Sequence, residues 1–85
     1  MLLQVSMMYV YILKSLKIPE RYYVGSTHDL KRRLKEHNAG YSHHTNRYKP
    51  WRIELYLGFT DERKARKFET YLKSGSGRAF AKMHF

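Results

Sequence analysis

The chain has no cysteine, which removes disulfide bridges, thiolate nucleophiles and zinc-thiolate centres together and makes a reducing, cytoplasmic setting the expectation. Acid is scarce as well: seven Asp plus Glu stand against seventeen Lys plus Arg, a formal charge of +10. That imbalance favours polyanionic partners, nucleic acid first and an anionic membrane second. Long apolar runs are missing. The leading MLLQVSMM lacks a basic start, sufficient apolar length and a small-residue cleavage site, so it reads as neither signal peptide nor membrane span. Residues 1–7 are taken as an N-terminal extension and 8–85 as one domain, because 85 residues suffice for a single modest core and not for two. Repeats, linkers and low-complexity segments are absent.

What is present is a short series of well-marked elements. YVYIL, residues 9 to 13, is rich in β-branched and aromatic residues, and YYVG, residues 22 to 25, repeats that character after a loop containing Pro19. The two form an antiparallel hairpin, and centring it near Lys17 sets Tyr11 across from Tyr23. HDLKRRLKEHN, residues 28 to 38, reads as a helix capped by Ser26 or Thr27, with Asp29 in its first turn. AGYSHHTNRYKP is punctuated by Gly40 and Pro50 and suggests a loop with one short helix. WRIELYLGF alternates, setting Trp51, Ile53, Leu55 and Leu57 on one face of a third strand. A last helix begins at Thr60, Asp61 and Glu62 and runs to about Lys73, where GSG stops it.

Both long helices break the rule for surface helices. The inward stripe of the first is Leu30, Arg33, Leu34 and His37, and that of the last is Ala65, Phe68, Glu69 and Leu72. An arginine and a carboxylate therefore stand where apolar residues belong. Either they pair with each other or rest their stems on the core with heads in water, or both helices border an open pocket, since inward ions are costly without a use. A tyrosine pair, an arginine, a histidine and a lone carboxylate can assemble a phosphodiester-cleaving site. The arginine would neutralise charge developing on phosphate, and the carboxylate would hold one hydrated divalent ion. Magnesium suits a single carboxylate because it keeps several waters and takes further oxygens from the substrate.

Those residues carry a resemblance to the GIY-YIG nuclease domains, in particular the small stand-alone bacterial-type members, and to the N-terminal catalytic domain of the excision-repair nuclease subunit. Tyr9-Val10-Tyr11 matches the first signature element and Tyr23-Val24-Gly25 the second, followed by STHDLKRRLKEHN and by Glu69 in ARKFETYLKSGSGR. The resemblance implies an α/β (α+β) fold, a small three-stranded antiparallel sheet flanked by helices in the order β-β-α-(α)-β-α. It also implies hydrolysis of DNA phosphodiesters with Mg²⁺ or Mn²⁺, in DNA repair or the processing of structured DNA. Carried over by motif, Tyr11 and Tyr23 are the signature tyrosines, Arg33 binds phosphate, His37 is an active-site neighbour and Glu69 is the metal ligand. Lys31, Arg32, Lys73 and Arg78 are read as DNA phosphate contacts.

The motif leaves three matters open. Any of Tyr11, Tyr23 and His37 can activate the water: an unperturbed tyrosine titrates near pH 10 and needs its proton drawn off, whereas histidine titrates closer to neutrality. Many family members place an asparagine after the metal-ligand helix; none lies between Leu72 and Phe85, so Lys73 or Arg78 takes that task or the domain binds without cutting. With no second domain, recognition falls to DNA shape, to a second copy or to a specificity-giving protein. Elsewhere, His43 and His44 read as a solvated loop touching phosphate rather than as metal ligands. Arg63, Lys64, Arg66 and Lys67 form a solvated face, secondarily a backbone track, and Trp51 belongs to the core.

Overall fold

A computed structural model describes residues 6–85, so most of the N-terminal extension, residues 1–5, lies outside the described residues. Met7 is held: its carbonyl accepts the Nδ1–H of His28 at 2.9 Å. The elements run β1 (Met8–Ser15), β2 (Tyr22–Thr27), α1 (Leu30–Ala39), α2 (His43–Asn46), β3 (Trp51–Phe59), α3 (Glu62–Lys73) and α4 (Gly75–His84). The strands form one antiparallel sheet in the order β2-β1-β3.

β1 is central, so both of its faces are covered, and it is apolar on both. Met8, Val10 and Ile12 pack against Ala65 and Leu72 of α3, with Phe68, Phe80 and Ala81 joining them. On the other face, Tyr11 and Leu13 pack with Trp51, Leu30, Leu34 and Tyr48. Strand alternation thus divides one short segment between two cores, and Tyr11 goes to the side on which α1 lies.

Four expectations are corrected in detail. Tyr11 pairs with Gly25, and Leu13 pairs with Tyr23. The hairpin is offset by two residues from the centring on Lys17. A shift of two leaves every side chain on its original face, so Tyr11 and Tyr23 remain neighbours, diagonally rather than directly opposed. In β3, Ile12 pairs with Leu55 while Leu13 pairs with Ile53. The extra residue, Glu54, is a bulge that reverses the alternation. Trp51 and Ile53 therefore join the α1 side, and Leu55 and Phe59 join the α3 side. The cap of α1 is Asp29, whose carboxylate accepts from the Arg32 backbone N–H at 3.0 Å; Ser26 and Thr27 belong to β2.

α3 ends at Lys73 as expected, but GSG then opens a further helix, α4, that the expected order of elements lacked. Ser74 closes α3 and caps α4, its hydroxyl accepting the Gly77 N–H at 3.1 Å. Gly77 sits so close to the Tyr71 carbonyl that a β-carbon there would collide with it. Glycine is what lets α4 turn directly against α3.

Two side-chain clasps fix the helices of the α1 side to the sheet. The Asn38 amide donates to the Trp51 carbonyl at 3.0 Å and accepts the Trp51 N–H at 2.6 Å. The Trp51 indole N–H donates to the Thr45 carbonyl at 2.9 Å. The end of α1, the single turn of α2 and the start of β3 are therefore one unit, as a buried indole requires of its polar edge.

Candidate active site

Tyr11 is fixed by the sheet and His37 by α1, and both are buried, at 2% and 0% exposure. The Tyr11 hydroxyl and His37 Nε2 share a 2.9 Å hydrogen bond. His37 Nδ1 in turn lies 2.7 Å from the hydroxyl of Thr45 in α2. Tyr23 completes the group, its ring centroid 5.0 Å from that of His37 and 6.4 Å from that of Tyr11. Among the described residues its hydroxyl has no hydrogen-bond partner, which leaves it free for a water or a phosphate oxygen.

Gly25 explains the shape of the second signature element. A β-carbon there would stand 2.5 Å from the Tyr11 hydroxyl oxygen, 2.6 Å from its Cζ and 3.0 Å from the Tyr23 ring. Only a residue without a side chain allows the Tyr11 ring to cross its paired strand and reach α1.

Arg33 sits one turn before His37. Its guanidinium donates to the Glu36 carboxylate at 2.9 Å, with a third of the side chain exposed. Hydrogen bonding to Glu36 first, then interaction with Tyr11, raises its pKa further against the effect of burial, so it stays charged. Glu69 projects from α3 to the edge strand β2, where Ser26 donates to one carboxylate oxygen at 2.6 Å and Lys73 to the other at 2.9 Å. Burial pushes the carboxyl up, but Ser26, Lys73 and Arg66 together outweigh it and hold the group below the ordinary range, hence ionised at neutral pH. Arg33 and Glu69 are not each other's partners, and the simple ion-pair explanation of the two inward charges does not hold.

The titration of the central pair is displaced in opposite directions. Burial pushes Tyr11 up to about 12, against the pull of the neighbouring Arg33, while Tyr23 and the Glu69 charge add to the rise. Burial, then the Arg33 charge, lowers His37 to about 4. Near neutrality the pair is therefore an un-ionised phenol beside an un-ionised imidazole, and the cation and the anion stand at its margin.

This constellation on a three-stranded antiparallel sheet agrees with a family match: the model of the GIY-YIG catalytic domain covers residues 7–83. The chain belongs to the GIY-YIG family. Among curated relatives, it is 40% identical over 65 residues to a structure-specific endonuclease subunit SLX1 homolog of Giardia intestinalis, covering 72% of this chain and 18% of that protein. It is 42% identical over 71 residues to the structure-specific endonuclease subunit SLX1 of Candida dubliniensis, covering 75% of this chain and 25% of the relative. A third, from Talaromyces marneffei, is 42% identical over 65 residues, covering 69% and 17%. The chain thus spans a quarter or less of the length of these relatives.

Of the residues singled out by pattern, Tyr11, Tyr23, Arg33 and His37 gather on the α1 face of the sheet, while Glu69 stands across β2 on the α3 face, bonded to Ser26, its charge still felt by Tyr11. Lys73 joins them by gripping Glu69. Lys31 and Arg32 lie on the exposed flank of α1, Arg32 within 3.9 Å of Glu36. Arg78 lies with Lys73, Lys82 and Arg21 along a broad groove of about 980 Å³ between α4 and the β1–β2 loop. His43 and His44 are exposed on α2, and Trp51 is buried in the core. Three participants escaped sequence reasoning: Thr45, Glu36 and Ser26. Ser26 carried a signal that pointed elsewhere, to a helix cap. Thr45 carried none.

The residues fit one divalent ion held by a single protein ligand. Glu69 is ionised, with 18% of its side chain exposed, and its carboxylate is the hard oxygen donor that Mg²⁺ or Mn²⁺ prefers. Among the described residues no cluster of three or more His, Cys, Asp or Glu forms a complete metal cage, so water and substrate would supply the remaining positions. No helix among the described residues is long and apolar enough to cross a membrane.

Proposed function

We propose that this domain is a divalent-metal-dependent endonuclease that hydrolyses DNA phosphodiester bonds. The observation that carries the reading is a buried Tyr11–His37 pair beside a charged Arg33 and within the field of an ionised Glu69 across β2. A module that merely binds DNA needs surface lysines and gains nothing from a desolvated phenol-imidazole pair.

In the mechanism, Arg33 binds a non-bridging phosphate oxygen and offsets the charge that grows there during attack. Its planar fork is held toward the site by Glu36. Glu69, kept ionised by Ser26 and Lys73, is the residue that would hold a hydrated Mg²⁺ or Mn²⁺. When bound, that ion supplies Lewis-acid charge neutralisation at the phosphate. Tyr11 is the first choice for the group that takes the proton of the attacking water, with Tyr23 positioning the water or the phosphate. Tyr11 cannot rest as a phenolate. With Tyr11 raised to about 12 and His37 lowered to about 4, both by burial, the resting proton stays on the phenol. The tyrosine proton therefore moves toward His37 only as the water is deprotonated, in a site where Arg33 already favours the phenolate.

The relatives' name, structure-specific endonuclease subunit, supports a structured substrate and assembly with a protein partner; branched or flapped DNA and a role in repair or in processing structured DNA complete the proposal. The basic surface supplies backbone contacts: Lys31 and Arg32 from α1, and Arg78 with Lys73 from the groove. These position DNA without reading bases. The deciding assay is cleavage of labelled single-stranded, duplex, flapped and branched DNA with Mg²⁺, Mn²⁺ or chelator, comparing the parent with Glu69→Ala. Metal-dependent cutting that disappears in the variant is expected. Tight, salt-sensitive binding without cutting by either protein would replace the nuclease with a binding module.

A further inference from the structure

We propose that Thr45 is a positioning residue of this site: its buried hydroxyl accepts the Nδ1–H of His37 and so fixes the tautomer whose bare Nε2 receives the Tyr11 proton. The inference uses the nuclease reading only for its catalytic consequence; the tautomer stands apart from it.

The proton inventory leads there. Three groups in line, Tyr11, His37 and Thr45, are fully or almost fully buried, at 2%, 0% and 0% exposure. They share two contacts, 2.9 Å at Nε2 and 2.7 Å at Nδ1. A neutral imidazole carries one N–H and one lone pair, so one contact must run toward the ring and the other away from it. If Nε2 held the hydrogen, it would donate to the Tyr11 oxygen, and the tyrosine would have to send its own hydrogen elsewhere. The other neighbour of that hydroxyl, the Arg33 guanidinium, can only donate. Among the described side chains the phenol hydrogen would then have no acceptor.

With the hydrogen on Nδ1, every proton finds a place. Tyr11 donates to Nε2, Nδ1–H donates to Thr45, and the Thr45 hydroxyl donates to the Ser42 carbonyl, 3.4 Å away at the start of α2. A histidine's working nitrogen is set by what its other nitrogen meets.

The position of the hydroxyl is itself enforced. The Thr45 carbonyl holds the Trp51 indole N–H at 2.9 Å, and Trp51 is clasped by Asn38, the residue after His37. α2 is only four residues long, and this double clasp keeps its one buried side chain against the imidazole. That gives α2, which carries no residue of the signature, a purpose in the site.

The test is the tautomer of His37 in the full 85-residue chain, read at pH 7 from long-range ¹H–¹⁵N correlations of ¹⁵N-labelled protein and assigned with His37→Gln. The parent and Thr45→Ser are expected to carry the hydrogen on Nδ1. Thr45→Val, nearly isosteric but without an acceptor, is expected to move it to Nε2; Thr45→Ala serves if the valine protein fails to fold. In cleavage assays the valine or alanine variant should lose about 100-fold in kcat with DNA affinity unchanged, and serine should restore kcat to within a few-fold. A parent with the hydrogen on Nε2, or a valine or alanine variant that keeps it on Nδ1, overturns the proposal. If the parent cuts no DNA at all, the nuclease reading fails while the tautomer result still decides this one.

Discussion

Acid should loosen this fold in a pH window that belongs to His37. Its imidazole is held neutral inside the protein, first by burial and then by the Arg33 charge, and titrates near 4 instead of the ordinary 6.5. The unfolded chain therefore binds a proton at pH values where the folded one refuses it. Stability contributed by the neutral form is complete above about pH 6.5 and is lost as pH falls toward 4. At roughly 1.4 kcal/mol per pH unit, the whole displacement corresponds to about 3 kcal/mol, of which about 2.5 kcal/mol is gone between pH 7 and pH 4.5. For a small domain that is a large share of the total. The single tryptophan, Trp51, is buried at 4% exposure and reports unfolding by its fluorescence. Urea midpoints should fall by about 2.5 M over that range for a slope near 1 kcal/mol per M. His37→Gln should start lower at pH 7 but lose much less on acidification. Glu69 also destabilises in acid, but its lowered pKa places that loss below the ordinary 4.5. Parallel pH profiles for parent and variant would refute the account, because then the buried imidazole would not be the group taking up the proton.

Three further outcomes follow from the geometry. Gly25→Ala drives a β-carbon to 2.5 Å from the Tyr11 hydroxyl oxygen; a cost of about 1–3 kcal/mol in urea unfolding is expected, with cleavage lost beyond what stability explains because the Tyr11–His37 bond must open. Ser26→Ala removes the 2.6 Å donor to Glu69, so the carboxyl pKa should rise toward the ordinary range and Mn²⁺ affinity, measured by titration without DNA, should weaken roughly tenfold; unchanged affinity would mean that Ser26 does not orient the ligand oxygen. Arg33→Ala should leave the urea midpoint nearly unchanged, since a third of the side chain is exposed, while kcat falls about 100-fold or more. Arg33→Lys should not restore it, because the planar fork is shared between Glu36 and phosphate.

The fold was legible where one rule acted alone. The β-branched and aromatic runs of β1 and β2 and the helical stripes of α1 and α3 are local patterns, and each forms where its pattern says. Where two rules met, the sequence reading lost information that only packing supplies. The bulge at Glu54 turns one apolar run toward two cores, so Leu55 and Trp51 diverge despite even spacing. Gly75, Ser76 and Gly77 do follow the stop of α3, but they also open α4, and Gly77 is small because α4 turns tightly against α3. The site divides in the same way. Arg33, His37 and Glu69 were visible as violations of amphipathic order, since a stripe that should be apolar and is not announces itself. Thr45 violated nothing. A threonine in a polar segment is unremarkable until the Trp51 indole and the end of α1 draw it to zero exposure against His37. Residues that touch the reacting groups are marked by being out of place in their own element, and the residue that orients them is marked only by its neighbours in space. In this domain those neighbours come from α1, α2 and β3, three segments whose periodicities say nothing about one another.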